Sequence, residues 1–337
     1  GVSKGTVDRV VHNRGEVSEK SAMKVRKAIE ELNYQPNLHA ALLATKNEKV
    51  IACFIPKDEK GGYWRDVHDG LLSQTENAST LNVKLRMFLY DMNDLGSFRD
   101  TGAELLASKP DGVILGPLFT EEATIFCSKL REDNTPYIFI DTKLEDENSL
   151  AYIGMPKFQS GYLCAALLTL KCREEELSKV AVIRVRRDKE GLSDPTVSRR
   201  EGFLSFMTEK YPHCEVVNVL IDPSDSTGNI SRTIHEALDG SGIRHILAYS
   251  SRIHLISDFL DGYDVEGRMV VGFDALVRNV DMLRNGQADI IITQKVDEMS
   301  MKAVRMMLEY LVLYKRPETR DNYMHMDILT RLNLDNY

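Results

Sequence analysis

The first 45 residues carry apolar side chains at helical spacing. Ser3 is placed to cap a short first helix, on which Val7, Val10 and Val11 share the core-facing side. A second helix begins after Ser18, and its apolar side chains recur every three or four residues, at Ala22, Val25, Ala28, Ile29 and Leu32. A Tyr-Gln-Pro-Asn stretch ends this helix, because the residue before a proline avoids the helical region. An alanine- and leucine-rich segment at 38–45 and a polar linker at 46–49 follow.

From Val50 onward, short β-rich apolar runs alternate with amphipathic helical stretches. Strands are predicted at Val50–Ile55, Val83–Tyr90, Gly112–Leu115, Tyr137–Ile140, Val180–Val185, Glu215–Ile221, His245–Tyr249, Met269–Phe273 and Ile290–Thr293. Helices are predicted near 64–80, 97–108, 120–133, 158–172, 198–210, 228–239, 253–262 and 297–314. Strict alternation predicts an α/β fold of parallel sheets with helices on both faces. Because the series breaks at a non-helical passage, Leu144–Pro156, we expect two similar lobes rather than one large sheet.

Composition and charge fit a soluble globular chain whose two ends differ. The chain has 337 residues, 43% of them hydrophobic and 28% charged, which predicts two or three domains. Its net charge of −8 argues against nucleic acid as the main partner. The first 49 residues, however, carry nine Lys and Arg against six Asp and Glu, which leaves −11 for the remainder. A small basic head precedes a large acidic body.

Cysteine usage and motif searches point away from several protein classes. Five scattered cysteines are typical of free thiols in a reducing compartment, not of a disulfide framework or a zinc site. No apolar run approaches the length of a membrane helix, and no signal region begins the chain, so we expect a cytoplasmic protein without membrane contact. Dinucleotide, Walker and nucleophile-elbow motifs are missing from the sequence. We therefore expect no enzyme activity, no cofactor and no metal.

The head resembles the LacI/GalR family of bacterial repressors. The residues that carry the resemblance are Gly1 to Val10, Ser18, Val25, Tyr34-Gln35-Pro36-Asn37, Ala40 and Leu43. In that family they form the turn and recognition helix of a helix-turn-helix, followed by a hinge helix. The family's first helix would lie before Gly1, so the chain as it stands is expected to bind operator DNA poorly.

The resemblance implies a set of DNA contacts and a homodimer on a pseudo-palindromic operator. The first helix would place its N-terminal side chains in the major groove, and Leu43 would enter the minor groove as a wedge. The alternatives are that Lys4 and Arg9 form an ordinary solvated face and that Leu43 packs on the body. The implied contact residues are Ser3, Lys4, Gly5, Thr6, Arg9, Asn13, Tyr34, Asn37, Ala40 and Leu43.

The body is similar to the family's effector domain, which resembles the periplasmic sugar-binding proteins. Arg199 to Phe203, Val271 to Asp274 and Thr293-Gln294 fall at family landmarks. The resemblance divides the chain into a partial helix-turn-helix headpiece (1–37), a hinge helix and linker (38–49), an N-terminal lobe (50–154 and 295–318) and a C-terminal lobe (155–294 and 319–337).

An effector would bind between the lobes, at the carboxyl ends of parallel strands. Trp64 could stack on a sugar ring or belong to the core, and Arg199 could hold hydroxyls or a carboxylate, or pair with Glu201. Asp141 resembles an acidic residue that accepts from sugar hydroxyls, and Asp274 and Gln294 could each be merely structural. The full set is Tyr63, Trp64, Asp141, Thr142, Arg199, Ser250, Asp274 and Gln294.

Several departures from the family pattern bear on the kind of effector. Tyr249-Ser250-Ser251 replaces the usual Asn-Asp pair, Met155-Pro156 replaces another expected Asp, and Gly61 stands where a ribose binder has a polar side chain. A site that loses two acids and keeps Arg199 favours an anionic or a larger effector, such as a sugar acid or a sugar phosphate. The resemblance as a whole implies a transcriptional regulator controlled by a sugar or sugar acid. The rivals are a solute-binding protein of a transport system, which would need an export signal and no basic head, and a sugar-acting enzyme.

Overall fold

The protein forms two compact units, each assembled from separate stretches of sequence. The computed structural model describes residues 1–11, 17–32, 48–79, 82–145, 148–173, 177–186, 196–263 and 265–336. In these ranges no helix combines the length and the apolar character that crossing a membrane requires. Unit 1 comprises Gly1–Lys57, Val67–Ile153 and Val296–Asn322, and unit 2 comprises Asp58–Asp66, Gly154–Lys295 and Tyr323–Tyr337.

The helices and strands follow the predicted alternation. The strands are β1 (Lys49–Lys57), β2 (Val83–Asp91), β3 (Gly112–Leu115), β4 (Tyr137–Ile140), β5 (Ala151–Gly154), β6 (Lys179–Val185), β7 (Glu215–Ile221), β8 (His245–Ala248), β9 (Met269–Phe273), β10 (Ile290–Thr293), β11 (Asp321–Tyr323) and β12 (Asp327–Leu329). The α-helices are α1 (Lys4–Val11), α2 (Glu19–Glu31), α3 (Tyr63–Ser79), α4 (Leu95–Ala107), α5 (Thr120–Glu132), α6 (Lys157–Leu168), α7 (Val197–Lys210), α8 (Thr227–Leu238), α9 (Ser257–Asp261), α10 (Val277–Arg284) and α11 (Val296–Leu313). Short 3₁₀ helices lie at Ile253–Ile256 and Leu334–Asn336.

The two helices of the head, α1 and α2, pack against each other. Ser3 caps α1 as predicted, since its hydroxyl oxygen accepts from the backbone N–H of Thr6 at 3.1 Å. The hydroxyl groups of Ser3 and Thr6 are also hydrogen-bonded, at 2.9 Å. Val7, which the spacing assigned to the core, is 38% exposed.

The strands form two six-stranded sheets with the same internal order. The orders are β11-β5-β4-β3-β1-β2 in one sheet and β12-β10-β9-β8-β6-β7 in the other. Within each sheet the first five strands of the chain pair in parallel, and β12 runs antiparallel to β10. The prediction of two parallel α/β sheets is confirmed. In sheets of this order, ligands bind beyond the carboxyl ends of the strands, beside the point where the strand order reverses.

Two glycines let α6 and α7 touch backbone to backbone in unit 2. A Cβ atom on Gly161 of α6 would lie 1.7 Å from the carbonyl oxygen of Arg199, and one on Gly202 of α7 would lie 1.9 Å from that of Phe158. No side chain larger than hydrogen fits at either position, because interiors are close-packed. The contact fixes the first turn of α7, which carries Arg199.

The structure contains elements that the sequence pattern did not predict. The passage 144–156, expected to be irregular, contains β5, which pairs with β4 in parallel. It was missed because it directly follows an irregular passage. Helix α10 was missed because Asn279, a polar residue, occupies its fully buried face. The three-residue strands β11 and β12 are too short to show an apolar period.

Candidate functional site

Unit 2 gathers five of the predicted effector residues near the carboxyl ends of its strands. Ser250 follows β8, Asp274 follows β9 and Gln294 follows β10, while Arg199 lies in the first turn of α7 and Tyr63 begins α3. Tyr63, Arg199 and Gln294 are buried, and Ser250 and Asp274 are partly buried. These polar groups converge at the edge of the sheet where α/β proteins bind ligands.

Arg199 is 4% exposed and hydrogen-bonds to neutral partners. Its Nε donates to Ser160 Oγ at 3.1 Å, one terminal nitrogen donates to the carbonyl oxygen of Tyr249, and the other lies 3.6 Å from Met155 Sδ. The guanidinium also stacks on the ring of Phe273, 3.7 Å from its centroid. A guanidinium has five N–H groups, so two have no partner among the described residues. The two remaining N–H groups of this buried guanidinium can therefore donate to a ligand.

Glu201, the alternative partner predicted for Arg199, does not pair with it. The Glu201 side chain is exposed on α7, and all the hydrogen bonds of Arg199 go to other groups. The rigid contact of α7 with α6 instead holds the arginine against the strand ends.

Tyr63 and Gln294 form a buried hydrogen-bonded pair. Gln294 Nε2 donates to the Tyr63 hydroxyl at 3.0 Å, and the two residues are 2% and 8% exposed. Gln294 Oε1 is buried and has no hydrogen-bond partner in the described part of the chain. Since a buried acceptor without a donor is costly, this oxygen can accept from a hydroxyl group of a ligand.

Trp64 lies beside this pair and is itself 6% exposed. Its ring meets the Tyr63 ring edge-on, with centroids 5.5 Å apart, and its backbone N–H donates to Asp58 Oδ2 at 3.1 Å. The tryptophan therefore belongs to the packed surroundings of Tyr63, and its stacking on a sugar stays a prediction.

Asp141 in unit 1 and Asp274 in unit 2 occupy equivalent places and share an unusual backbone. Each follows the strand that comes fourth along the chain in its sheet, with φ of +59° and +64° respectively. Each backbone N–H donates to the next strand, to Ile153 at 3.0 Å and to Ile292 at 2.9 Å. Non-glycine residues in the left-handed region carry strain that is common at binding sites. The strain marks both aspartates as functional candidates.

Asp141 is 7% exposed, and neighbouring hydroxyl groups hydrogen-bond to its carboxylate and to its backbone carbonyl. Thr142 Oγ1 donates to Asp141 Oδ2 at 3.1 Å, and the Tyr152 hydroxyl donates to the Asp141 carbonyl oxygen at 2.9 Å. The predicted pair Asp141 and Thr142 thus forms one hydrogen-bonded group at the end of β4.

Asn279 is a functional candidate that sequence reasoning missed. It is fully buried, and its Nδ2 donates to the carbonyl oxygens of Ser251, Phe273 and Asp274 at 2.8, 3.1 and 2.8 Å. Its Oδ1 lies 3.0 Å from Nδ1 of His254, whose pKa is lowered by burial. The amide joins the loops after β8 and β9. A polar residue at an apolar helix position was the available signal.

A pocket rich in arginine was also missed. It lies at the carboxyl ends of β6 and β8 and is lined by Ile183, Arg184, Val185, Thr196, Tyr249, Ser250, Ser251 and Arg252. Burial raises the pKa of the Tyr249 hydroxyl, while Arg200 and Arg184 act in the opposite direction. Arg184 escaped notice because an arginine near the end of a strand has no motif to mark it.

The head presents the first predicted DNA contacts along α1. Ser3, Gly5 and Arg9 are exposed, and Thr6 is partly buried against the Ser3 hydroxyl. Lys4 begins the helix. The other predicted contacts lie outside the described residues: Asn13, Tyr34, Asn37, Ala40 and Leu43.

Potential metal ligands are scattered. Across the described ranges, no three His, Cys, Asp or Glu side chains come together in a way that could hold a metal ion.

Comparisons with protein families match both parts of the chain. Residues 51–315 match the model of a periplasmic binding protein domain, and residues 1–37 match that of the bacterial regulatory proteins of the lacI family.

Curated relatives are bacterial regulators. The transcriptional regulator MalR of Streptococcus pneumoniae is 26% identical over 144 residues, 43% of each chain. The sucrose operon repressor of Pediococcus pentosaceus is 26% identical over 226 residues, 66% of this chain and 64% of the repressor. The chain thus spans between two fifths and two thirds of the length of these relatives.

A crystal structure of a Bacteroides fragilis protein described as a LacI transcriptional regulator matches the fold. Its TM-score is 0.78 at 27% identity, and the match covers 86% of this chain and all of that one.

Proposed function

The chain belongs to the LacI family of bacterial regulatory proteins, with a periplasmic binding protein domain as its body, and from this premise we propose that it is a DNA-binding transcriptional regulator. A small carbohydrate-like effector, a sugar or a sugar acid, controls its affinity for an operator. The observation that carries the proposal is the union, in one chain, of a lacI-type head and a body whose strand ends hold a buried, partly unsatisfied Arg199. The resemblance inferred from the head residues is confirmed.

On the DNA side, the N-terminal turn of α1 enters the major groove. Ser3, Lys4, Gly5, Thr6 and Arg9 supply the contacts in this helix. Two copies pair through their bodies and present two heads to a pseudo-palindromic operator, since a twofold dimer reads repeated half-sites. The acidic body repels the DNA phosphates, which confines contact to the head and the hinge.

On the effector side, donors and acceptors suit a polyhydroxylated molecule. Arg199 offers N–H groups, and Gln294 Oε1 offers a buried acceptor. Asp274 offers a carboxylate at the end of β9, and Asp141 occupies the equivalent place in unit 1. A ligand that binds one conformation of the body more tightly shifts its population, and this couples effector binding to operator binding.

The two rival functions have less support. A solute-binding protein of a transport system has no use for a lacI-type head. A sugar-acting enzyme would need an acid/base pair, and the curated relatives are regulators. We infer a cytoplasmic protein from the same relationship.

Selection of operator DNA tests the proposal. The full chain is mixed with random double-stranded DNA, enriched sequences are sequenced, and their affinity is followed by fluorescence anisotropy at several salt concentrations. Because the head as it stands is expected to bind operator DNA weakly, the selection is run at low salt, where contacts to phosphate are strongest. We expect a pseudo-palindromic sequence whose affinity falls as salt rises and changes on addition of one sugar or sugar acid. Failure to enrich any sequence contradicts the proposal.

Two variants separate the two activities. Arg199→Lys keeps the charge but loses the planar fork, so it should bind the operator normally and lose the effector response. Arg331→Lys, at an exposed position, is the matched control and should behave as the wild type. Circular dichroism checks that both variants fold.

A further inference from the structure

The arginine pocket, defined by its lining residues Ile183, Arg184, Val185, Thr196, Tyr249, Ser250, Ser251 and Arg252, lies where the strand order of unit 2 reverses. Strand β6 has β7 on one side and β8 on the other, and the pocket opens at the ends of β6 and β8. Its volume is about 40 Å³, room for about three water molecules or one phosphate-sized group.

Positive charge concentrates in and beside the pocket. Arg184 and Arg252 line it, and Arg200 lies close enough to act on the Tyr249 hydroxyl together with Arg184. Residues 50–337 carry a net charge of −11, so a group of arginines here makes a locally positive site in an acidic part of the chain. A concave site lined by one sign of charge attracts the opposite charge.

Arg184 has no acidic partner in the described part of the chain. It makes no ion pair there, whereas Arg186, two positions further along, lies 3.7 Å from Asp222 Oδ2. Arg199, buried behind the same strand ends, is likewise bonded to neutral groups. A buried positive charge is costly unless an anion lies close to it. Where no carboxylate lines the cavity, a bound anionic ligand can supply that negative charge.

Hydrogen-bond donors complete the lining. Ser250, Ser251 and Thr196 bring hydroxyl groups, and Thr196 directly precedes the 14-residue helix α7. The first-turn N–H groups of a helix lack partners within it and favour an anion. Arginine forks bind phosphate and carboxylate oxygens in pairs.

We propose that the arginine pocket binds the anionic group of the effector, so that the effector is a sugar phosphate or a sugar acid and not a neutral sugar. The inference rests on the proposed function, because it assigns the pocket to the same effector that Arg199 would bind. It adds Arg184 and Arg252 to the residues that recognise the effector. The sugar ring lies toward Arg199 and Gln294, and its acidic substituent lies at the end of β6.

Inorganic phosphate is the simplest probe of the pocket. Thermal unfolding and the fluorescence of Trp64, the single tryptophan of the chain, are followed as sodium phosphate replaces sodium chloride at equal ionic strength. We expect phosphate to raise the unfolding midpoint of the wild type. The apparent affinity for phosphate should fall about tenfold or more in Arg184→Gln.

Arg232→Gln is the matched control, because it removes the same charge from an exposed position on α8. It should keep the phosphate response of the wild type. Equal responses in the wild type and both variants would overturn the proposal. This titration tests anion binding by the arginine pocket without the need to know the natural effector.

Matched sugars then identify the acidic group. Glucose, glucose 6-phosphate and glucuronate are compared, with the corresponding galactose and mannose series. The anionic member should bind about tenfold tighter than the neutral one and lose that advantage in Arg184→Gln; the better of the two anions distinguishes phosphate from carboxylate.

The two proposals fail separately. If a neutral sugar binds best and with equal affinity to the wild type and Arg184→Gln, the proposal of an anionic effector is refuted. The proposal of a transcriptional regulator is then unaffected. If phosphate binding depends on Arg184 but the protein enriches no operator DNA, the proposal of a transcriptional regulator is refuted. The proposal that the arginine pocket binds anions is then unaffected.

Discussion

Replacing Gly202 by alanine should sharply destabilise unit 2. The new Cβ would lie 1.9 Å from the carbonyl oxygen of Phe158, whereas ordinary contact begins near 3.4 Å. Helices α6 and α7 must therefore separate by about 1.5 Å, the difference of these distances. Because the colliding atom belongs to the backbone, no change of rotamer relieves the clash. We expect a cost of about 3 kcal/mol or more, at the upper end for overpacking.

Thermal unfolding measures this cost, and a second glycine supplies the control. For a unit of this size, 3 kcal/mol corresponds to a fall of about 6 to 12 °C in the midpoint of its transition. Gly228, near the start of α8, has open space where the Cβ of an alanine would lie. Gly228→Ala should leave the midpoint unchanged or raise it, since alanine favours a helix by up to about 1 kcal/mol. If the midpoint of Gly202→Ala stays within about 2 °C of the wild type, the close packing of α6 and α7 is refuted.

Three further changes have measurable outcomes. Gln294→Leu removes the buried acceptor, so it should weaken effector binding about tenfold or more while leaving operator affinity unchanged in an anisotropy titration; equal effector affinity would contradict the role of Oε1. Burial raises the pKa of Cys53 to about 12, and of the five thiols only Cys172 and Cys214 are partly exposed, so a chromogenic thiol reagent should label at most two in the native protein; a third fast thiol would count against the packing. Burial lowers the pKa of His254 below its ordinary 6.5, so the unfolded chain takes up protons that the folded one refuses, and stability should fall as the pH drops below about 6.5; His254→Gln should show a smaller fall in denaturant unfolding, and an equal fall would refute the assignment.

The sequence predicted the elements with strong periodicity and missed those that depend on a few contacts. Strands such as β3 and β10 are short, uniformly apolar and buried on both faces, which makes them recognisable without a structure. Strand β5 has the same character, but it lies directly after an irregular passage. Helix α10 buries Asn279 for its hydrogen bonds, so its apolar period is broken.

The candidate site shows the same division. Residues such as Asp274 and Gln294 could be named because they fall at landmarks of the family that the chain resembles. They also follow predicted strands, whose carboxyl ends meet at one edge of the sheet. The roles of Asn279 and Arg184 depend on which groups face them across the fold. The three carbonyl oxygens around the Asn279 amide and the neutral residues beside Arg184 in the arginine pocket are far from them in sequence or follow no periodic pattern. Sequence periodicity therefore does not reveal either contact.

The hydrogen bonds of Asn279 also bear on the thermodynamics of recognition. One buried amide ties the loops after β8 and β9 to the same helix, so these loops are ordered before any ligand arrives. A ligand that had to freeze them would lose about 0.5 to 1.5 kcal/mol for each immobilised side chain. With that entropy already lost on folding, even a small ligand with few contacts can bind these loops with useful affinity.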